Sequence, residues 1–286
     1  MDIDEITNKL DREFNTDSNQ ENLVEWAVID ENRIYINHDF LEKKTGLMTR
    51  NSTSIKKIYT TVFITDNIVN QISNKNECLI LTHHNFNYFE DERGLQPIQP
   101  EVLDKLAKAK NSIYVAHAPL DTHKRFGTST CLAELCEIKI DKLFFEYYGS
   151  YTAAIGNIKQ EKFKVFSEMV RKKIRRPYLD LIKNRNYVKR IAVIAGGGDI
   201  PNILQQAYDY GCDTLFTGTI KHRWNLPFIQ EGNKKFHKLN EKLKLNLIGG
   251  THYATERPSM IKILELIKDY NLPCEYIEDN ELLKSQ

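Results

Sequence analysis

Cysteine is scarce in this chain and falls into no familiar pattern. The five, Cys78, Cys131, Cys136, Cys212 and Cys274, are odd in number and include no Cys-x-x-Cys pair. The step from Cys131 to Cys136 is no zinc spacing, so neither a disulfide framework nor a thiolate metal site finds support. Reduced core thiols of a cytoplasmic protein are expected. Long apolar runs are lacking too. None approaches the roughly 18 residues that a membrane span needs, and the acidic opening from Met1 to Ile6 has no signal-peptide h-region. There is no excess of one charge: 40 Lys and Arg face 39 Asp and Glu, a formal net charge of +1. That balance gives no global electrostatic reason to expect nucleic acid. Nor does Gly196-Gly197-Gly198-Asp199 complete a nucleotide fingerprint. It lacks the third glycine of G-x-G-x-x-G and the Gly-Lys-Ser/Thr of a Walker A loop.

What is there is an ordinary soluble composition, 41% hydrophobic and 28% charged over 286 residues. That is enough for one large or two medium domains with a buried core. Residues 2–14 place Ile3, Ile6, Leu10 and Phe14 at helical spacing. Residues 15–22 are polar and read as a loop, and Arg33 to Asn37 alternates like a strand. Ile58 to Ile64 is β-branched and aromatic, hence a strand, with Asp66 as N-cap of a helix to Ser73. Residues 78–82 are apolar at nearly every position, as a strand covered on both faces is. A helix from Pro100 to about Lys110 and a strand from Ser112 to Ala116 follow, which implies a parallel crossover. Farther on, Cys131 to Glu137 reads as a short helix, 142–158 as strand, turn and strand, and 161–190 as a basic helix. Arg190 to Ala195, Asp213 to Gly218 and Leu245 to Ile248 read as strands. Helices are expected at 200–210, at 233–243 and from about Glu256 to Lys268, the last with Thr255 as N-cap and Pro258 in its first turn.

The chemistry-bearing residues gather at strand ends. His83, His84, His117 and Asp121 fall just past the carboxyl ends of parallel strands, where open α/β sheets place their ligands. His252 and Glu256 follow the strand that ends at Ile248, and read as a loop ligand and a first-turn ligand rather than one helical face. Histidines and carboxylates of this kind form the ligand set that divalent zinc, iron or manganese accepts. Adjacent histidines on an extended segment project to opposite sides. They therefore suit two ions of a pair about 3.5–4 Å apart, with a carboxylate as bridge. The basic stretch from Arg171 to Arg190 reads first as a solvated helix face. It reads second as a rim for a phosphorylated substrate or a polyanion.

Four stretches carry a resemblance: Leu79 to His84, Ala116 to Asp121, Ile191 to Gly198 with Thr217-Gly218, and His252-Tyr253-Ala254-Thr255-Glu256. Together they resemble the NIF-three-like family (Ngg1-interacting-factor-three-like), whose bacterial members are often named GTP cyclohydrolase I type 2. The likeness runs from about residue 55 to 270. It implies an α/β fold of two interlinked lobes, 1–125 and 126–286, with mostly parallel sheets and a dinuclear metal cleft between them. It also implies a toroidal homohexamer built as a trimer of dimers. By this resemblance the ligands of two divalent ions fall on His83, His84, Asp121, His252 and Glu256, with Glu256 as the bridge, and His117 is a pocket histidine. The chain departs from the family pattern at several positions. Asn85 stands where proline usually follows the two histidines, Thr219 where an acid follows Thr-Gly, and Arg223 where a histidine is usual. An aspartate usual on the strand near Phe63 is absent, and the Trp-Asp-Asn-x-Gly-Leu stretch is not recognisable.

Two functions follow as expectations. The first is a metal-dependent hydrolase acting on a small molecule, with GTP converted to dihydroneopterin triphosphate and formate if the family's activity carries over. His117 and His222 would move protons, and Lys221, Arg223 or the 171–190 stretch would hold the triphosphate. The second is a ring-shaped metal-binding protein without turnover, a metal chaperone or an interaction scaffold. Nucleic-acid binding through the basic stretch is a weaker third, and would show as affinity that falls with salt.

Overall fold

Strand alternation and helix caps decide where each element begins and ends. The structure, a computed structural model, describes residues 1–15 and 28–285. Of the loop expected at 15–22, all but Asn15 lies outside the described residues. In chain order the first half holds α1 (Ile3–Phe14), a 3-10 helix (Asp30–Tyr35), α2 (His38–Lys43), β1 (Gly46–Thr49), β2 (Lys57–Thr61) and α3 (Asp66–Ile72). It continues with β3 (Cys78–Thr82), β4 (Asn87–Tyr88), β5 (Leu95–Gln96), α4 (Pro100–Lys108), β6 (Ser112–Val115) and α5 (Ala118–Asp121). The second half holds α6 (Thr128–Leu135), β7 (Lys139–Tyr147), β8 (Ser150–Lys162), α7 (Phe163–Lys173), β9 (Asp180–Ile182) and β10 (Tyr187–Ile194). Then come α8 (Pro201–Asp209), β11 (Thr214–Thr217), α9 (Pro227–Leu243), β12 (Asn246–Gly249) and α10 (His252–Lys262). The chain closes with α11 (Leu264–Lys268), β13 (Cys274–Tyr276) and α12 (Asn280–Lys284). Among the described residues no helix is long and apolar enough to cross a membrane.

Two compact units result. The first comprises Met1–Phe89, Leu95–His123 and Met260–Glu281. Its five-stranded sheet runs in the order β1-β6-β3-β2-β13, with β6, β3, β2 and β13 mutually parallel and β1 antiparallel at one edge. All five residues of β3 are buried, as its unbroken apolar run requires. Ile80, Ile113 and Val115 pack with Phe40, Ile68, Val69 and Leu103 in one core cluster. Residues Arg33 to Asn37 do not form a strand: Asp30–Tyr35 is a 3-10 helix, and Ile34 is 82% exposed, so its alternation marks no buried face. The cap of α3 is Thr65, whose Oγ1 accepts from the Ile68 N–H, and Asp66 is the first helical residue.

The second unit comprises Glu90–Gly94, Lys124–Ser259 and Leu282–Gln286. Its six-stranded sheet has the order β7-β8-β10-β11-β12-β9. Here β10, β11 and β12 are parallel, while β7, β8 and β9 pair antiparallel. The sheets are therefore parallel only in part, because the short β7–β8 turn can join only antiparallel neighbours. The expected basic helix over 161–190 is broken. Its helical part is α7, which ends in a Schellman turn: Arg176 N–H bonds the Arg171 carbonyl, Arg175 N–H bonds the Lys172 carbonyl, and Arg175 is left-handed at φ 61°. Pro177 then cannot extend the helix, and β9 and β10 follow.

Candidate metal centre

The first unit carries a candidate cluster where β3 and β6 stop. Past Thr82 the chain bends, and the His83 and His84 N–H groups bond the carbonyls of Thr61 and Val62. The bend ends the alternation that would send the two side chains to opposite sides. Their ring centroids lie 4.2 Å apart, and His117 lies 4.9 Å from His83 and 4.8 Å from His84. One nitrogen from each of the three comes within 4.8 Å of the others. The separation of His83 and His84 onto two different ions is thus not imposed by chain geometry, and His117 stands with them as a full member of the cluster.

Neighbours fix each ring. His83 Nδ1 donates to the Ala116 carbonyl at 2.8 Å, so its proton is on Nδ1 and Nε2 is the nitrogen presented to the cluster. That Nε2 lies 3.4 Å from Asp121 Oδ1, and His117 Nε2 lies 4.0 Å from Asp121 Oδ2. Asp121 reaches this position because α5 starts directly after β6, with the Asp121 N–H on the His117 carbonyl. The His84 ring lies flat against Phe63, with centroids 4.5 Å apart and planes 9° apart, and Phe86 covers it at 5.8 Å. His83, His84, Phe63 and Phe86 are all buried.

In the second unit a helix, not a loop, carries the candidate ligands His252 and Glu256. α10 starts at His252, so His252 and Glu256 stand one turn apart on the same face, with Nε2 and Oε1 3.0 Å apart. The expected start at Glu256 is corrected. Thr255 is no cap: its hydroxyl donates back to the Thr251 and His252 carbonyls within the helix. Pro258 lies inside the helix rather than in its first turn. Thr251 precedes the helix in a left-handed conformation, φ 74°, and its Oγ1 accepts from the Ala254 N–H. Glu90 Oε1 accepts from the Tyr253 N–H, placing a carboxylate at the positive end of the helix. Glu90 and Thr251 carried no signal in the sequence that would have marked them.

Gly196, just past the end of β10, packs against His252 and Glu256. Its φ is +71°, and a Cβ there would lie 2.3 Å from Glu256 Oε1 and 3.0 Å from His252 Nε2. Its N–H bonds Thr255 Oγ1 at 3.0 Å, and its carbonyl accepts from the Thr219 N–H at 3.1 Å. Within the glycine run, Gly196 serves close approach to an imidazole and a carboxylate, whereas Gly198 lies against Ile194 and Thr217. Also in this unit, His222 Nε2 lies 3.0 Å from Asp199 Oδ1, both largely buried. Lys221 and Arg223 beside it are exposed.

The basic stretch is largely spoken for. Arg171 pairs with Glu168, Lys173 with Glu137 and Arg190 with Asp141. Arg185 donates to the Lys244 carbonyl. Arg176 is 2% exposed and bonds the carbonyls of Leu282, Leu283 and Ser285. Burial pushes its guanidinium below the ordinary arginine range.

The donor set suits a divalent transition ion. Imidazole nitrogens and carboxylate oxygens, buried, without thiolates and with one tautomer set by a carbonyl, match what zinc, iron or manganese takes. A mixed α/β fold with such clusters at strand ends defines a class of candidate metalloproteins. Residues 39–281 match the family Duf34/NIF3 (NGG1p interacting factor 3), and the chain belongs to that family. A Haemophilus influenzae relative named "GTP cyclohydrolase 1 type 2 homolog" is 27% identical over 235 residues, 81% of this chain and 87% of its own length. A Pyrococcus horikoshii relative of the same name is 27% identical over 169 residues, 58% of this chain and 62% of its own. Among solved structures, protein ybgI, titled as of unknown function, aligns at TM-score 0.73 and 18% identity over 99% of this chain and all of its own. Reduced HcgD from Methanocaldococcus jannaschii aligns at TM-score 0.66 and 20% identity, over 98% of each chain. At these identities the structural likenesses show the fold alone.

Proposed function

We propose that the chain is a metal-dependent hydrolase of a small, nucleotide-like substrate. In this reading two divalent ions are held by His83, His84 and Asp121 of the first unit together with His252 and Glu256 of the second. The observation that carries it is the buried imidazole cluster around Asp121, with His83 Nε2 presented by its Nδ1 bond to Ala116. Such ions would supply Lewis-acid polarisation and a water acidified toward neutral pH. The chain's own residues do the rest. His117 and His222 take and return protons, each imidazole having one nitrogen that can donate and one that can accept. The exposed cations Lys221 and Arg223 hold a triphosphate. The relatives' name supports GTP as substrate, and formate and dihydroneopterin triphosphate are the products that the family resemblance implies. We further propose a homohexamer, as the family resemblance implies, in the cytoplasm, as the free cysteines suggest.

The test is incubation of zinc-, iron- or manganese-loaded protein with GTP. Formate release and pterin fluorescence, both lost in His83→Ala, are expected. Neither signal above that control would overturn GTP turnover, and a panel of amides and phosphoesters would then decide the reaction class.

A second reading is a metal-binding ring protein without turnover. Phe63 favours it: an aromatic ring lies flat on His84 two residues past the end of β2, near where the family usually carries an aspartate. It predicts metal uptake with no hydrolysis across that panel.

A further inference from the structure

Asp199 ends the glycine run, and nothing in its sequence surroundings marks it as more than a turn residue. In the fold it is buried, 7% exposed, with both carboxylate oxygens engaged. Oδ1 lies 3.0 Å from His222 Nε2, and Oδ2 accepts from Asn233 Nδ2 at 2.8 Å. Asn233 is itself buried on α9 and donates also to the Ile220 carbonyl at 3.2 Å. A carboxylate held by an amide on one oxygen can present only an acceptor to the imidazole on the other. The imidazole must then put its Nε2 proton there. Nδ1 of His222 makes no hydrogen bond among the described residues.

The ring is held on its other side as well. Trp224 meets His222 edge to face, with centroids 5.0 Å apart. The indole is seated against Gly94, where a Cβ would fall 2.5 Å from the Trp224 ring at a left-handed φ of +59°. Gln230 Nε2 donates to the Trp224 carbonyl at 2.6 Å, fastening the loop that carries both rings. Turning the ring over would break its bond to Asp199 and its edge contact with Trp224.

We propose that Asp199, steadied by Asn233, is a positioning residue that holds His222 in the Nε2–H tautomer and leaves Nδ1 as the nitrogen that takes up and returns a proton. This rests on the reading of His222 as a proton carrier. An imidazole fixed in tautomer and orientation by a carboxylate is a better proton-transfer group than a free one, because the proton always leaves from and returns to the same atom.

The test is site-resolved carbon–nitrogen correlation NMR on full-length protein with labelled histidine. His222→Gln assigns the signal. In the neutral ring the wild type should carry its proton on Nε2, and protonation should shift Nδ1. In Asp199→Asn the amide oxygen stays with Asn233 and the amide nitrogen turns to His222, so the tautomer should invert to Nδ1–H. Wild type with Nδ1–H, or an Asp199→Asn protein with unchanged tautomer, overturns the proposal. The wild-type spectrum decides the tautomer even where the variant fails to fold. Where the protein turns over GTP, Asp199→Asn should lower kcat about a hundredfold at unchanged KM and metal content. An inverted tautomer with kcat intact would show that the pair only fastens the loop, and would overturn the functional half. If the wild type turns over nothing, the hydrolase reading fails while the NMR outcome stands by itself.

Discussion

Single residues decide the finest features of this site. Gly196 combines a left-handed backbone with the closest approach to His252 and Glu256. Alanine there would meet both a conformational penalty of about 1–2 kcal/mol and the Glu256 carboxylate. Gly196→Ala is therefore expected to fold with a melting temperature a few degrees lower and to take up less metal, as elemental analysis would show. Full metal content would mean that Glu256 is not a ligand in its present rotamer. The cysteines bear on stability instead of chemistry. Burial pushes the thiols of Cys136 and Cys212 up to about 12 from 9.0. Below about pH 9 both states hold these protons, and the full stability is present. Between about pH 9 and 12 the unfolded thiols ionise while the folded ones do not, so each thiol removes about 1.4 kcal/mol of stability per pH unit. Tyr270, pushed up to about 12, adds in the same direction. Denaturant titrations of wild type and Cys136→Ala/Cys212→Ala over that range should give a flatter slope for the variant, and equal slopes would show that the thiols titrate normally.

At the scale of elements, the turn that follows α7 carries a residue that holds another part of the chain. The Arg176 guanidinium grips the carbonyls of Leu282, Leu283 and Ser285, and the Tyr178 hydroxyl also donates to Ser285. Charge-assisted bonds contribute about 1.5–3 kcal/mol each, against a desolvation cost of several for the buried cation. Arg176→Leu should lower the unfolding free energy by only about 2 kcal/mol while releasing the last residues to carboxypeptidase. Resistance equal to the wild type would show that side-chain packing alone holds them. Elements also show what could be read in advance. β3 and β6 were legible because their apolar runs are unbroken, and with them the placement of His83, His84 and Asp121 at strand ends. The start of α10 was not. Gly249-Gly250-Thr251 reads as loop, Thr255 is a cap residue by type, and Pro258 reads as a first-turn proline. The left-handed Thr251 starts the helix four residues earlier than these signals suggest, and only that shift puts His252 and Glu256 on one face. Asp199 and Asn233 were illegible for a different reason: 34 residues separate them, and no local pattern links a turn to the middle of a helix.

For the whole molecule the question is whether two ligand sets, carried by two units, act on the same ions. Each unit supplies imidazole and carboxylate, so each alone could bind metal weakly, and counting ligands does not distinguish one shared centre from two separate ones. Thermodynamic coupling does. If the sets share their ions, removing His84 from the first or Glu256 from the second should each abolish most of the binding, and the double variant should lose little more than either single one. The coupling energy should then reach about 1–3 kcal/mol. Separate centres would give additive losses, with about half of the metal surviving each single change. Metal bound only to the folded chain stabilises it by RT ln(1 + [L]/Kd), about 2.7 kcal/mol at a hundredfold excess over Kd. Melting temperature with and without chelator therefore reports the same quantity without any assay of turnover. Wild type should lose several degrees on chelation, and His84→Ala, Glu256→Ala and the double variant should all lose almost nothing. A chelator shift that survives in one single variant would assign the ions to the other unit and overturn the shared centre.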